Sequence, residues 1–230
     1  MINYPAGLAF ANKNIGLGYY MQGELTEALR YWEPALELYE ELGDKQMVAN
    51  LMSNLGAIYY TSGKNLEAME LWIPALKMAE ELSDSTRIST LLMNIGVIYS
   101  EIPSTYDSAV NYYFRAIDMG QALGDHHMVG VSTINLGEIY VEKEEYDSAL
   151  YYFEKSLTIL TSSSDIAMAL NFIGNIYLEM GDYQKALTYQ QDALEMSWRE
   201  NSQRERVGIL LGLGSTHVKL DSTVKAIEYY

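Results

Sequence analysis

The chain has 230 residues and a formal net charge of −16, from 31 acidic residues against 15 basic ones. Such an excess of negative charge repels phosphate backbones and anionic lipid, so nucleic acid is not expected as a partner. There is no cysteine, which excludes disulfides and thiolate metal sites, and no apolar run is long enough to predict a signal peptide or a transmembrane helix.

A six-residue pattern returns along the whole chain, and its best copy is Asn54-Leu55-Gly56-Ala57-Ile58-Tyr59. Its glycines are Gly16, Gly56, Gly96, Gly137, Gly174 and Gly214, separated by 40, 40, 41, 37 and 40 residues. Self-similarity at a period of this length indicates stacked supersecondary units.

The second copy shows what each unit contains. Apolar residues recur at three- and four-residue steps over 47–62, which predicts a first helix, and Gly63 follows as a left-handed helix end. A second stripe containing Ala68, Trp72 and Ala75 predicts a second helix, after which Asp84 can cap the next one. Each repeat is therefore predicted to be an antiparallel helix pair.

The other copies deviate in informative ways. Repeat three has one extra residue in its turn at 101–105, so we expect this turn to direct the following helix differently from the other turns. The linker at 161–165 is three residues shorter than the usual spacing. In repeat five Gln190 stands where an aromatic residue is expected, which predicts looser packing. Repeat six stops inside its second helix, and we therefore expect a fragment of a longer protein.

These residues resemble the tetratricopeptide repeat, whose constellation is carried in repeat two by Leu55, Gly56, Tyr59, Ala68, Trp72 and Ala75. By length alone the period would also suit HEAT or armadillo repeats, but these residue types at this spacing decide against them. The longer unit is similar to the extended tetratricopeptide subclass found in kinesin light chains and in bacterial signalling proteins associated with histidine kinases or nucleotide cyclases. The resemblance implies an all-α, right-handed superhelical solenoid whose first helices line a concave groove that holds peptides or partner helices.

The predicted organisation is a single solenoid over residues 1–230. Its repeats are expected at about 6–45, 46–85, 86–126, 127–164, 165–203 and an incomplete 204–230.

The candidate partner-binding residues lie on one stripe of the first helices, around the recurring asparagine. They are Asn14, Asn54, Asn94 and Asn135, together with Lys13, Leu17, Asn50, Ala57, Val97 and Glu138. An amide both donates and accepts hydrogen bonds, so the four asparagines can form a ladder along the backbone of an extended peptide. The alternative interpretation is that they bond to neighbouring helices or water and only set the stack.

The leading functional hypothesis is a protein-binding scaffold, the sensor or adaptor part of a larger signalling protein. Its rival is a self-associating domain that controls an attached cyclase or histidine kinase. No enzymatic constellation, cofactor or metal site is expected, because His126 and His127 are predicted to lie in a solvated loop without further ligands. We expect a cytoplasmic location, or a periplasmic one if the full protein has an upstream signal and a downstream transmembrane helix.

Overall fold

The structure is a computed structural model that describes residues 4–199 and 203–229. Within these ranges the chain forms twelve α-helices and one short 3₁₀ helix, Pro103–Thr105. The helices are α1 Tyr4–Met21, α2 Leu25–Glu41, α3 Lys45–Thr61, α4 Asn65–Glu81, α5 Ser85–Ser100, α6 Tyr106–Leu123, α7 His126–Glu142, α8 Tyr146–Leu157, α9 Ser163–Glu179, α10 Tyr183–Arg199, α11 Gln203–Lys219 and α12 Thr223–Tyr229. The predicted all-α repeat of helix pairs is confirmed.

The turns between helices follow from local chemistry. Gly63 ends α3 with a φ of +73°, in the left-handed region that the sequence predicted for it. Asp84 then caps α5, since its side chain accepts a hydrogen bond from the backbone nitrogen of Arg87 at 3.1 Å. Asp44 and Asp125 cap α3 and α7 in the same way. The recurring Gly and Asp therefore fix where helices end and begin.

A glycine notch joins the two helices of a repeat. Gly56 of α3 faces the indole of Trp72 in α4 so closely that a Cβ at Gly56 would lie 2.3 Å from the indole nitrogen. That nitrogen donates a hydrogen bond to the carbonyl of Ser53 at 2.9 Å, and Trp72 is almost fully buried. In the first repeat, Gly16 and Trp32 make the same arrangement. Gly is required here because any side chain would displace the ring.

The residues group into two compact units, Met1–Glu101 and Ile102–Tyr230. The first contains α1 to α5, with the helix pairs α1–α2 and α3–α4 packed together. The second contains α6 to α12, with the pairs α7–α8, α9–α10 and α11–α12. The boundary falls in the turn of repeat three, where the extra residue precedes the 3₁₀ helix. A single domain over the whole chain stays a prediction.

Repeat five differs from the expectation of looser packing at Gln190. This side chain is fully buried, and a Cβ at Gly174 would lie 2.7 Å from its Cγ. Its amide nitrogen donates to Oδ1 of Asn175 at 3.2 Å, and its oxygen accepts from the hydroxyl of Thr216 at 2.8 Å. Gln190 therefore fills the notch with its aliphatic part and links repeat five to repeat six with its amide.

The shorter spacing before repeat five is accommodated by a shorter second helix, α8, in repeat four. α8 has 12 residues, whereas α2, α4 and α10 each have 17. After α8 ends, Leu160 turns back into the core, where a Cβ at Gly130 would lie 2.3 Å from its Cδ2. The missing residues thus shorten a second helix and leave the first helices at full length.

Stacked ring pairs form a further contact within the repeats, and they were not predicted. Tyr140 stacks on Tyr152 with ring centroids 5.2 Å apart, and Tyr177 stacks on Tyr189 at 5.5 Å. Tyr19 with Tyr31 and His217 with Tyr229 repeat the arrangement, always twelve residues apart. The signal was present in the sequence as an aromatic residue directly before the one that fills the notch.

None of the described helices is both long and apolar enough to cross a membrane.

Candidate functional site

The asparagine face is the surface formed by Asn14 of α1, Asn54 of α3 and Asn94 of α5 with their stripe neighbours. Each asparagine precedes the notch glycine by two residues, which is about 200° around an α-helix. Because the glycine side of α1 and α3 is covered by α2 and α4, the asparagine is turned away from the partner helix of the repeat. Each of these first helices therefore packs against its partner helix with the glycine side and leaves the asparagine side open to another contact.

The amides on this face make few bonds within the protein. Asn14 is exposed and Asn94 is half-buried, and neither side chain has a hydrogen bond within residues 4–199 and 203–229. Asn54 donates to Oδ1 of Asn50 at 3.2 Å, one turn earlier in the same helix. Nothing in the described chain joins these amides to a neighbouring helix, and their hydrogen-bonding capacity is largely unused.

The other predicted residues of the first unit surround the asparagines. Lys13 is half-buried, with Nζ 3.9 Å from Sδ of Met47 in α3 and 5.8 Å from the centre of the Phe10 ring. Leu17 is exposed. Ala57 and Val97 are half-buried. The asparagine face is therefore mostly uncharged, with small or apolar residues between the amides.

In the second unit, α7 carries the equivalent stripe with different chemistry. Asn135 and Glu138 are both half-buried, and the Asn135 amide makes no hydrogen bond to any described residue. Burial raises the pKa of the Glu138 carboxyl to about 7, and the negative charge of Glu142, one turn on, adds to the effect. Glu138 therefore changes charge near neutral pH, which sequence reasoning did not foresee because burial is a tertiary property.

A cavity on the first helices of repeats five and six was also missed. It measures about 310 Å³, lies between α9 and α11, and is lined by Met168, Asn171, Phe172, Glu205, Gly208 and Ile209. Met168, Phe172 and Gly208 occupy the stripe positions that correspond to the asparagine face. A faint signal existed, since the loss of the recurring asparagine at Phe172 marked a change in this surface.

The two histidines lie in a helix, which corrects the predicted loop. His126 and His127 are the first residues of α7, because Asp125 before them acts as its N-cap. His127 is exposed, and its Nδ1 lies 2.9 Å from the Oδ2 of Asp165 in α9. Gln46 makes the equivalent contact to Asp84 at 2.7 Å, so this position links successive repeats. No group of three or more potential metal ligands occurs in the described chain.

Known proteins share this fold. The chain superposes on BtubC (BKLC) from P. vanneervenii with a TM-score of 0.70 and 23% identity, covering 81% of this chain and 78% of that one. For PilF from Pseudomonas aeruginosa the TM-score is 0.69 at 19% identity, covering 99% and 90%. For the apo quorum sensor NprR from B. thuringiensis it is 0.77 at 17% identity, covering all of this chain but only 64% of NprR.

No curated protein matches the chain in sequence. The family model described as tetratricopeptide repeat, however, matches residues 7–81, 88–162 and 165–230, which is nearly the whole chain. The match agrees with the glycine notches and helix pairs described above. The chain belongs to the tetratricopeptide repeat family.

Proposed function

We propose that the chain is a protein-interaction scaffold and that the asparagine face of the first unit holds an extended segment of a partner protein. The observation that carries this proposal is the unused hydrogen-bonding capacity of the recurring amides. Asn14 and Asn94 have no bond within the described chain, and Asn54 bonds only along its own helix. A polar residue that recurs at one position without a hydrogen bond to a neighbouring helix is explained by a ligand that contacts each copy.

The spacing of the repeats suits a peptide backbone. Packed helices have axes about 8–10 Å apart, and an extended chain rises roughly 3.3 Å per residue. Successive asparagines would therefore meet every third residue of the bound segment. Because an amide pairs with backbone groups, these contacts place few demands on the side chains of the partner. Leu17, Ala57 and Val97, between the amides, would contact its apolar side chains.

The structural neighbours support a partner of this kind. One of them is titled a Rap protein complexed with competence and sporulation factor, with a TM-score of 0.72 at 16% identity. NprR is titled a quorum sensor. On the second unit, Asn135 and Glu138 of α7 would offer the same mode of binding. A role as a sensor or adaptor within a signalling protein follows from this proposal.

The test uses a displayed library of random twelve-residue peptides, selected against the intact chain. The affinity of a selected peptide is then measured by fluorescence anisotropy for the native protein and for the double variant Asn54→Ala/Asn94→Ala. Two lost hydrogen bonds should weaken binding by roughly 10- to 50-fold. The melting temperature should not fall, because alanine is the better helix former.

Asn111→Ala is the matched control, since Asn111 is exposed on α6, a second helix. It should leave binding unchanged. The proposal is wrong if the double variant binds selected peptides like the native protein, or if the library yields no peptide at all. A lower melting temperature with unchanged affinity would show that the asparagines stabilise the stack instead.

A further inference from the structure

The second helix of repeat six, α12, is held on α11 by few contacts. It has seven residues, of which only Ala226 is buried, and Ile227 is 70% exposed. Tyr229 completes the contact, because it stacks on the ring of His217 and packs against an apolar cluster that includes Leu213. A helix of two turns is not stable alone in water. We therefore expect α12 to stay helical only while these contacts hold.

Repeat six departs from other repeats at this contact. His217 occupies the position that holds a tyrosine in all five preceding repeats. Asp221 stands four residues later, where repeats one, two and five have glycine, and its φ is +55°. Left-handed backbone of this kind favours glycine, because a Cβ crowds the neighbouring carbonyl. The turn that leads into α12 is therefore less favourable than the glycine turns.

The surroundings of the His217 ring suit only its neutral form. The residue is 4% exposed, and its Nδ1 is buried without a hydrogen-bond partner among the described residues. In a neutral imidazole one ring nitrogen carries no proton, whereas an imidazolium has an N–H donor on both nitrogens. Protonation would therefore place an unpaired donor of a charged ring at a buried position, which costs free energy.

The charged groups that act on this ring belong to α12. Lys225 opposes a positive charge on the ring, and Glu228 favours it. Within the described residues, no charge of α9 or α10 moves the pKa of His217. Burial has the largest effect, and together with Lys225 it lowers the pKa of the ring below its ordinary value of 6.5. The packed ring therefore resists protonation more than a ring uncovered by the loss of α12.

We propose that a proton on His217 releases α12 from α11 in acid. Above pH 6.5 the ring is neutral and the contact is complete. As the pH falls below 6.5, the released form takes up a proton that the packed form excludes, so the equilibrium moves toward release until the packed ring also titrates. Release uncovers the part of the apolar cluster that Tyr229 covers. Repeat six is thus closed at neutral pH and opens in acid.

This device is independent of the asparagine face, with which it shares no residue. Glu138 also titrates near neutral pH, but it lies on α7 and destabilises the fold as the pH rises. The two groups therefore respond to pH in opposite directions and on different helices, and variants can separate them.

The test follows α12 by NMR in the ¹⁵N,¹³C-labelled intact chain between pH 7.5 and pH 5. The Cα chemical shifts of residues 223–229 report helix directly, and they should move toward random-coil values in acid while those of α10 stay helical. His217→Tyr restores the ring that the other repeats use, so α12 should then remain helical at pH 5. His217→Phe, which lacks the hydroxyl, should give the same result.

Further variants separate the proton on His217 from other effects. His126→Tyr makes the same exchange at an exposed histidine of α7, and it should leave the acid response of α12 unchanged, as should Glu138→Gln. Asp221→Gly relieves the turn, so it should lower the released fraction several-fold at both pH values without removing the response. Lys225→Gln should weaken the response and Glu228→Gln should strengthen it, because the two charges act in opposite directions.

The proposal is overturned if α12 of the native chain stays helical at pH 5, or if both His217 variants lose α12 in acid as the native chain does. Loss of the helical shifts of α10 together with those of α12 would overturn it as well, since release is confined to α12. The Asn54→Ala/Asn94→Ala variant should respond to acid like the native chain. Failure of this device therefore leaves the asparagine face standing, and the reverse also holds.

Discussion

Repeat two, in the first unit, and repeat five, in the second unit, fill the same notch with different chemistry. In the first unit Trp72 covers Gly56 and donates to a backbone carbonyl of the same repeat. In the second unit Gln190 covers Gly174 and bonds to Asn175 in its own repeat and Thr216 in the next. The notch therefore specifies a shape and a depth, while the side chain that fills it decides whether the contact stays within the repeat or reaches its neighbour.

The stripe of the first helices shows the same contrast. The position three residues after the recurring asparagine holds Ala57 and Val97 in the first unit but Glu138 in the second. Gln190 is buried with its hydrogen bonds satisfied, whereas Glu138 is half-buried with a raised pKa. Neighbouring residues thus satisfy the hydrogen bonds of one buried polar side chain, Gln190, whereas burial without such partners raises the pKa of the other, Glu138.

The largest effect is expected from filling the notch. Gly56→Ala would place a Cβ 2.3 Å from the rigid, buried indole of Trp72, and we expect it to cost about 3 kcal/mol of unfolding free energy. Gly174→Ala meets Cγ of Gln190 at 2.7 Å, a milder overlap with a side chain that has more rotatable bonds than the indole, and it should cost less, about 1–2 kcal/mol. Urea unfolding followed by circular dichroism measures both values.

Gly18→Ala is the control for the notch, because a Cβ there has nothing within 4 Å. It should stabilise α1 by roughly 0.5–1 kcal/mol, as expected for a helical glycine replaced by alanine. Equal costs for Gly56→Ala and Gly174→Ala would remove the distinction between a rigid and a flexible notch.

The second effect concerns Glu138. Its folded pKa of about 7 lies above the ordinary 4.5, so between these pH values the folded state holds a proton that the unfolded chain has released. Stability therefore falls as pH rises from 4.5 to 7, and the penalty is complete above pH 7. The full shift corresponds to about 3.4 kcal/mol, and solvent screening of this half-buried group reduces it, so Glu138→Gln should gain about 2 kcal/mol at pH 8 and almost nothing at pH 4.5.

Glu142→Gln removes only the smaller cause of this shift and should give a smaller gain over the same pH range. Urea unfolding of both variants and the native chain at pH 4.5, 6 and 8 gives the comparison. A gain for Glu138→Gln that is independent of pH would mean that charge burial is not its origin.

The smallest effect is expected at Gln190. Gln190→Leu keeps the notch filled but leaves Oδ1 of Asn175 without its donor, while Thr216 retains its bond to the carbonyl of Gly212 at 3.0 Å. We expect a loss of about 1.5 kcal/mol. A double-mutant cycle with Thr216→Val should give a coupling of about 1 kcal/mol. Additive losses would show that the link between repeats five and six contributes nothing.

Much of the fold could be predicted because it depends on local chemistry. Asp84 begins a helix and Gly63 ends one through hydrogen bonds and backbone angles within a few residues, so their positions in the sequence sufficed. Only neighbours across the repeat could show that Gln190 is satisfied, since its partner Thr216 lies 26 residues away. His126 and His127 begin α7 and do not lie in the predicted loop, because Asp125 acts as the N-cap of that helix.

The candidate site, too, could be predicted from the sequence only in part. The sequence identified the asparagine stripe, since a helix of fixed pitch puts residues at set spacings on one face. It could not reveal the cavity between α9 and α11 or the raised pKa of Glu138, because cavities and burial depend on how neighbouring helices approach. The ladder itself stays a prediction.

By itself, the sequence determined the family, the helix pairs and the notch that joins them, because these follow from periodicity, capping and the size of one glycine. Only the tertiary structure decided which polar side chains are satisfied and which are left open. The physical reason is that solvation and hydrogen bonding belong to the space between helices, where residues from different repeats meet.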